Sequence, residues 1–114
     1  MKLFEWGEKR YARGIARSMI KSYVLFKDHH QELSEYELIK IVLATRPGEP
    51  AKSLLAEIND LVFFNSIGGN LLEIIFILVR MEYMEYMKGV LDKESSETNL
   101  VFRKVILEEM EGLR

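Results

Sequence analysis

Residues 71–79 read Leu-Leu-Glu-Ile-Ile-Phe-Ile-Leu-Val and form the most apolar run of the chain. Glu73 is its only charged side chain, and residues 81–88 continue the segment with strong helix formers. A helix that is apolar almost all round is normally buried at the centre of a fold or shared between subunits. A membrane-spanning helix needs roughly 20 apolar residues, so this run is too short to cross a bilayer. We therefore predict a central buried helix from Leu71 to about Leu91.

Start and stop signals predict two helices before this one. The first runs from about residue 4 to 28, because apolar side chains recur along one of its faces at helical spacing. Ser34 and Glu37 form a capping box at the start of the second, in which each side chain accepts a hydrogen bond from the other residue's backbone N–H. Pro47 ends that helix, since proline has no backbone N–H to donate.

Two further helices complete the prediction. Pro50 suits the first turn of a helix that extends to about residue 64, with Leu61 and Val62 in its apolar face. Another begins at a serine cap near residue 95 and ends near Gly112. The chain is thus predicted to be all-α, a compact single domain of residues 1–114 with about five helices.

An α+β fold is the alternative. Residues 61–64 and 74–77 are rich in β-forming side chains, and the intervening Gly68-Gly69-Asn70 could turn a hairpin between about 61 and 79. The helical interpretation is favoured because residues 81–88 continue the second of these segments as a helix.

Composition limits the chemistry and the location. The 114 residues are 48% hydrophobic and contain no cysteine, which excludes disulfides, thiolate nucleophiles and zinc–thiolate sites. Glu5, Glu8, Lys9 and Arg10 interrupt the N-terminus where a secretory signal peptide would be apolar. We expect a soluble cytoplasmic protein with no membrane association.

Charge is distributed unevenly along the chain. Residues 1–27 carry seven Lys or Arg against two acids, and residues 28–114 carry nine against sixteen. The polar face of the first helix presents four cations: Arg10, Arg13, Arg17 and Lys21. These cations have three possible roles. They are solvated or paired within the chain, they dock on an acidic protein or a second copy, or they bind the phosphates of a nucleic acid. Trp6, Tyr11 and Tyr23 are assigned mostly to the opposite face, so base stacking is not implied.

The end of the central helix is the second candidate surface. Residues 81–87 read Met-Glu-Tyr-Met-Glu-Tyr-Met, and thioethers suit adaptable contacts. Five side chains are candidate interface residues: Met81, Tyr83, Met84, Tyr86 and Met87. They either fill the core or form a contact with another chain. Together with the apolar central helix they predict self-association, as a two-fold dimer.

Catalytic and metal-binding patterns are weak. Glu82 and Glu85 share a helix face, but neither belongs to the Glu-x-x-His motif of di-iron bundles. A carboxylate metal site would need one of them to meet His29 or His30 and is the second alternative. We assign no catalytic residue, cofactor or metal ligand, and no motif set resembles a known family. The expected function is a non-enzymatic interaction or regulatory module, with a nucleic-acid-binding regulator as the first alternative.

Overall fold

A computed structural model describes residues 3–88, 90 and 95–113. This part of the chain is helical and contains no β-strand, which confirms the predicted all-α bundle. The helices are α1 (Leu3–His29), α2 (Glu35–Thr45), α3 (Glu49–Ile58), α4 (Leu61–Ser66), α5 (Leu71–Tyr86) and α6 (Ser96–Glu111). Among the helices of these residues, none is both long and apolar enough to cross a membrane.

Helix α5 is the centre of the bundle. It packs against α1, α2, α3 and α6, and it buries apolar side chains around most of its circumference. Five of them are almost wholly inaccessible to solvent: Leu71, Ile74, Ile75, Leu78 and Val79. Burying one such side chain contributes about 1.5–3 kcal/mol. The apolar run at 71–79 therefore organises the fold, as predicted.

Helices α1 and α6 lie side by side and run in the same direction. Near the start of both helices, the Thr98 hydroxyl donates a hydrogen bond to the Glu8 carboxylate at a distance of 3.1 Å. Near the other end of α6, Arg13 contacts Glu108 at 2.9 Å. At ~1.5 Å rise per residue the 27 residues of α1 extend about 40 Å, close to the 44 Å longest dimension of the molecule. The basic face of α1 is thereby held next to an acidic stretch of α6.

The predicted third helix is in fact two helices. The Asp60 side chain accepts hydrogen bonds from the N–H groups of Val62 and Phe63 and so begins α4. The Tyr36 hydroxyl donates to the Ile58 carbonyl at 2.7 Å, which satisfies a group left free where α3 ends. The new direction of α4 exposes Leu61 and Val62, which we predicted to be buried. The six-helix count differs from the predicted five for this reason.

The alternative hairpin at 61–79 is wrong, because the glycines separate two helices. Gly68 and Gly69 have φ values of 108° and 58°, in the left-handed region where glycine carries no side-chain penalty. Asn70 then caps α5 by accepting the Glu73 N–H at 3.0 Å.

The last residue of the central helix also differs from the predicted one. Helix α5 ends at Tyr86, and the Met87 N–H donates to the Tyr83 carbonyl at 2.9 Å. The predicted end, Leu91, lies outside the described residues.

Candidate interaction surface

The basic face of α1 forms one wall of a cleft of about 570 Å³. Helix α1 contributes Trp6, Lys9, Arg10, Arg13, Gly14 and Arg17. Helix α6 contributes Glu108 on the opposite side. Three of the four predicted basic residues are therefore brought together, while Lys21 lies exposed one turn beyond the cleft. We call this feature the cationic cleft.

An exposed aromatic ring stands at the end of the cationic cleft. Trp6 is 51% exposed, and the Arg10 guanidinium lies 5.4 Å from the centre of its ring. The assignment of Trp6 to the opposite face is wrong. At 100° per residue, Trp6 is only about 20° from Arg13 around the helix axis, so helical spacing alone places it on the basic face. Lys9 was also missed.

Two arginines of the cleft are fixed by carboxylates of α6. Arg13 contacts Glu108 at 2.9 Å and Glu109 at 3.5 Å, and the Arg17 Nε lies 2.5 Å from Glu109. The arginines of the basic face are thus paired with carboxylates of the same chain, which was one of the three interpretations of these cations. Arg17 nevertheless keeps 68% of its side chain exposed, so it has donors left for another anion.

A second groove, of about 440 Å³, lies on the other side of Arg10. Helix α1 contributes Gly7, Glu8, Arg10 and Tyr11. The end of α5 contributes Tyr83, Tyr86 and the capping residue Met87. The lining includes three tyrosines, of which Tyr86 is 72% exposed. We call this feature the tyrosine groove.

Ring contacts define the floor of the tyrosine groove. Tyr11 and Tyr83 meet edge to face with centroids 5.4 Å apart, and Tyr86 lies at the same distance on Tyr11. Such pairs stabilise a structure by about 0.5–1.5 kcal/mol beyond the area that they bury. Burial, and then the Glu82 carboxylate, raise the pKa of Tyr11 to about 12. Its phenol is therefore neutral at physiological pH.

The candidate interface residues of α5 separate into two groups. Tyr83, Tyr86 and Met87 all line the tyrosine groove, but Tyr83 is itself buried against Tyr11 and Phe102 within the same chain. Met81 and Met84 are half-buried. Because the apolar side chains of α5 are largely covered by neighbouring helices, they no longer argue for a dimer, and dimerisation stays a prediction.

The residues considered for metal binding are separated or engaged elsewhere. Glu82 accepts two hydrogen bonds from Arg46, and His30 lies 3.5 Å from Glu32. Over residues 3–88, 90 and 95–113, no group of three or more His, Asp or Glu side chains is placed to hold a metal ion.

Comparison of the chain with protein families, characterised proteins and solved structures finds no significant match. The surface of the chain therefore carries the information about its function. Its two distinctive parts are the cationic cleft and the tyrosine groove, which share Arg10.

Proposed function

We propose that the chain is a non-enzymatic, cytoplasmic interaction module that binds an acidic segment of another protein. The observation that carries the proposal is the position of Arg10, which lines both the cationic cleft and the tyrosine groove. The two candidate surfaces are therefore continuous, and we call them together the composite surface. A segment with carboxylates for the cleft and a bulky apolar side chain for the groove would match both halves.

Charge favours a protein segment over a nucleic acid. The chain has a net charge of −2, whereas nucleic-acid-binding domains normally carry a basic excess. Glu108 and Glu109 neutralise part of the cleft, and Glu8 lines the tyrosine groove where a phosphate backbone would be repelled. A short acidic segment can keep its carboxylates in the cleft and its apolar side chain in the groove.

Intrinsic fluorescence offers a direct test, because Trp6 is the only tryptophan and stands at the cleft. We expect a tryptophan-free peptide of Glu and Leu to change the emission of Trp6 saturably. The affinity of the chain for this peptide should fall as the salt concentration rises. Arg10→Glu should weaken binding about tenfold, since it reverses the charge shared by both grooves. Lys52→Glu makes the same charge change on α3 and should leave the affinity unchanged.

Two outcomes would overturn the proposal. Equal loss of affinity in the Arg10 and Lys52 variants would show that only net charge matters. Tighter binding of single-stranded or duplex DNA than of the peptide, at equal salt and weakened by charge reversal at Arg13 and Arg17, would favour the nucleic-acid alternative.

Self-association remains a separate proposal. Two-fold symmetry presents the same patch from both copies, so two cationic clefts placed face to face would repel each other. A dimer through the composite surface would need acidic residues of the second copy in each cleft. Sedimentation over a concentration series measures this directly, and a monomer at tens of micromolar would contradict the predicted dimer.

A further inference from the structure

Gly14 forms part of the floor of the cationic cleft, in the interior of α1. Glycine in a helix interior lowers helix stability relative to alanine, because it loses more backbone freedom on folding. Apart from its two chain neighbours and the nearby backbone of α1, a Cβ built at Gly14 meets no atom of the described residues within 4 Å. The packing of those residues therefore gives no reason for a glycine here.

The glycines between α4 and α5 have local reasons, whereas Gly7 does not. Gly68 and Gly69 adopt positive φ between α4 and α5, and a Cβ on Gly68 would lie 2.6 Å from Glu73 Cγ. Gly7 resembles Gly14, since a Cβ there also meets nothing within 4 Å. Gly7 lines the tyrosine groove, seven residues or about two helical turns before Gly14. The two glycines thus lower the floor of both halves of the composite surface.

We propose that the acidic partner docks a helix against α1, with its closest approach at Gly14. This inference rests on the proposed function and specifies the form of the partner. The distance between two packed helix axes depends on the side chains at their contact, and a glycine allows the closest approach. The glycine by itself marks no site, but here it is flanked by Arg10, Arg13 and Arg17 along one cleft.

The spacing of the three arginines fits a helical ligand. Positions 10, 13 and 17 extend over about 10 Å, or two helical turns. A partner helix alongside α1 can present carboxylates at i, i+3 and i+7 over the same length. Within the chain, α6 shows that carboxylates on a helix packed beside α1 can reach these arginines, because the consecutive Glu108 and Glu109 contact Arg13 and Arg17.

The test combines one substitution with two peptides. Gly14→Gln introduces a strong helix former into open space, so we expect the melting temperature to rise by about 4 °C. The longer side chain should nevertheless weaken peptide binding about tenfold by blocking the closest approach. Ala56→Gln on the exposed side of α3 is the matched control and should not change binding.

The peptides are tryptophan-free, about 18 residues long and identical in composition. One carries its Glu residues at i, i+3 and i+7, and the other carries them consecutively. We expect the helically spaced peptide to bind the wild-type chain about fivefold more tightly.

The failures of the two proposals are distinguishable. If the wild-type chain binds neither peptide, the proposed function fails. If it binds both equally, or if Gly14→Gln binds as the wild type does, the helical partner is wrong while the acidic segment stands. If Gly14→Gln lowers the melting temperature, Gly14 has a structural role and the inference is overturned.

Discussion

Arg46, at the end of α2, binds Glu82 of α5 through two parallel hydrogen bonds, from Nε at 2.5 Å and from a terminal nitrogen at 2.8 Å. Each side chain is only 18% exposed. The hydrogen bond to Glu82 raises the pKa of Arg46. The pair joins two helices that also meet in the core, so it fixes the end of α2 against the central helix.

Removing one partner of this pair should destabilise the fold. We expect Glu82→Ala to lower the free energy of unfolding by about 2 kcal/mol, because it leaves a half-buried guanidinium without its carboxylate. Urea denaturation measures the change. The control is Glu49→Ala, which breaks an exposed 3.7 Å contact with Lys52 and should cost less than about 0.5 kcal/mol. Equal losses in the two variants would contradict the structural role of Arg46–Glu82.

The turn between α4 and α5 provides a second prediction. Gly68→Ala places a side chain on a residue with φ of 108° and brings its Cβ to 2.6 Å from Glu73 Cγ. We expect a loss of about 2 kcal/mol in unfolding free energy, through backbone strain and the displacement of Glu73. Gly112→Ala is the control, since its φ of −61° suits any residue. A Gly68 variant as stable as the Gly112 variant would disprove the strain argument.

Asp60 determines where α4 begins, and its removal is the third prediction. Asp60→Ala deletes the acceptor of the Val62 and Phe63 N–H groups and should cost about 1 kcal/mol. Asp60→Asn keeps a side-chain oxygen that can cap the helix and should cost much less. Thermal unfolding of both variants checks the difference. If Asn destabilises as much as Ala, the carboxylate acts in some way other than capping.

These elements show which parts of the fold can be predicted locally. The capping box of Ser34 and Glu37 and the stop at Pro47 were predicted correctly because each depends on residues a few positions apart. The break at Asp60 was missed because an apolar pattern continues through it. The Tyr36 hydroxyl that supports the break lies 22 residues away in sequence. Only the packing of α2 on α3 brings this donor to the end of α3.

The candidate surface was predictable to a similar degree. Helical spacing identified Arg10, Arg13 and Arg17, and the same arithmetic could have added Trp6. The pairing with α6 was not predictable in detail, since Arg17 and Glu109 are 92 residues apart and nothing local selects α6 as the neighbour of α1. Whether the basic face of α1 is solvated or paired depends on which helix packs beside it.

The contact between Arg17 and Glu109 leads to a fourth prediction, which depends on the proposed function. Glu109→Gln removes the carboxylate that contacts both Arg13 and Arg17, so affinity for the acidic peptide should rise about threefold. Glu111→Gln makes the same charge change two residues further along α6 and should have a smaller effect. Trp6 fluorescence titration measures both. A decrease in affinity for the Glu109 variant would mean that Glu109 positions the arginines rather than competing for them.

The buried phenol of Tyr11 leads to a prediction about alkaline stability. Burial, followed by the Glu82 carboxylate, raises its pKa to about 12, against about 10 in an unfolded chain. Between these values the native state retains a proton that the unfolded state has lost, so the contribution of Tyr11 is complete below pH 10 and disappears as the pH rises towards 12. Tyr11→Phe removes this dependence, and its urea midpoint should fall less steeply over the same range. Parallel curves for the variant and the wild type would show that the Tyr11 phenol ionises equally well in both states.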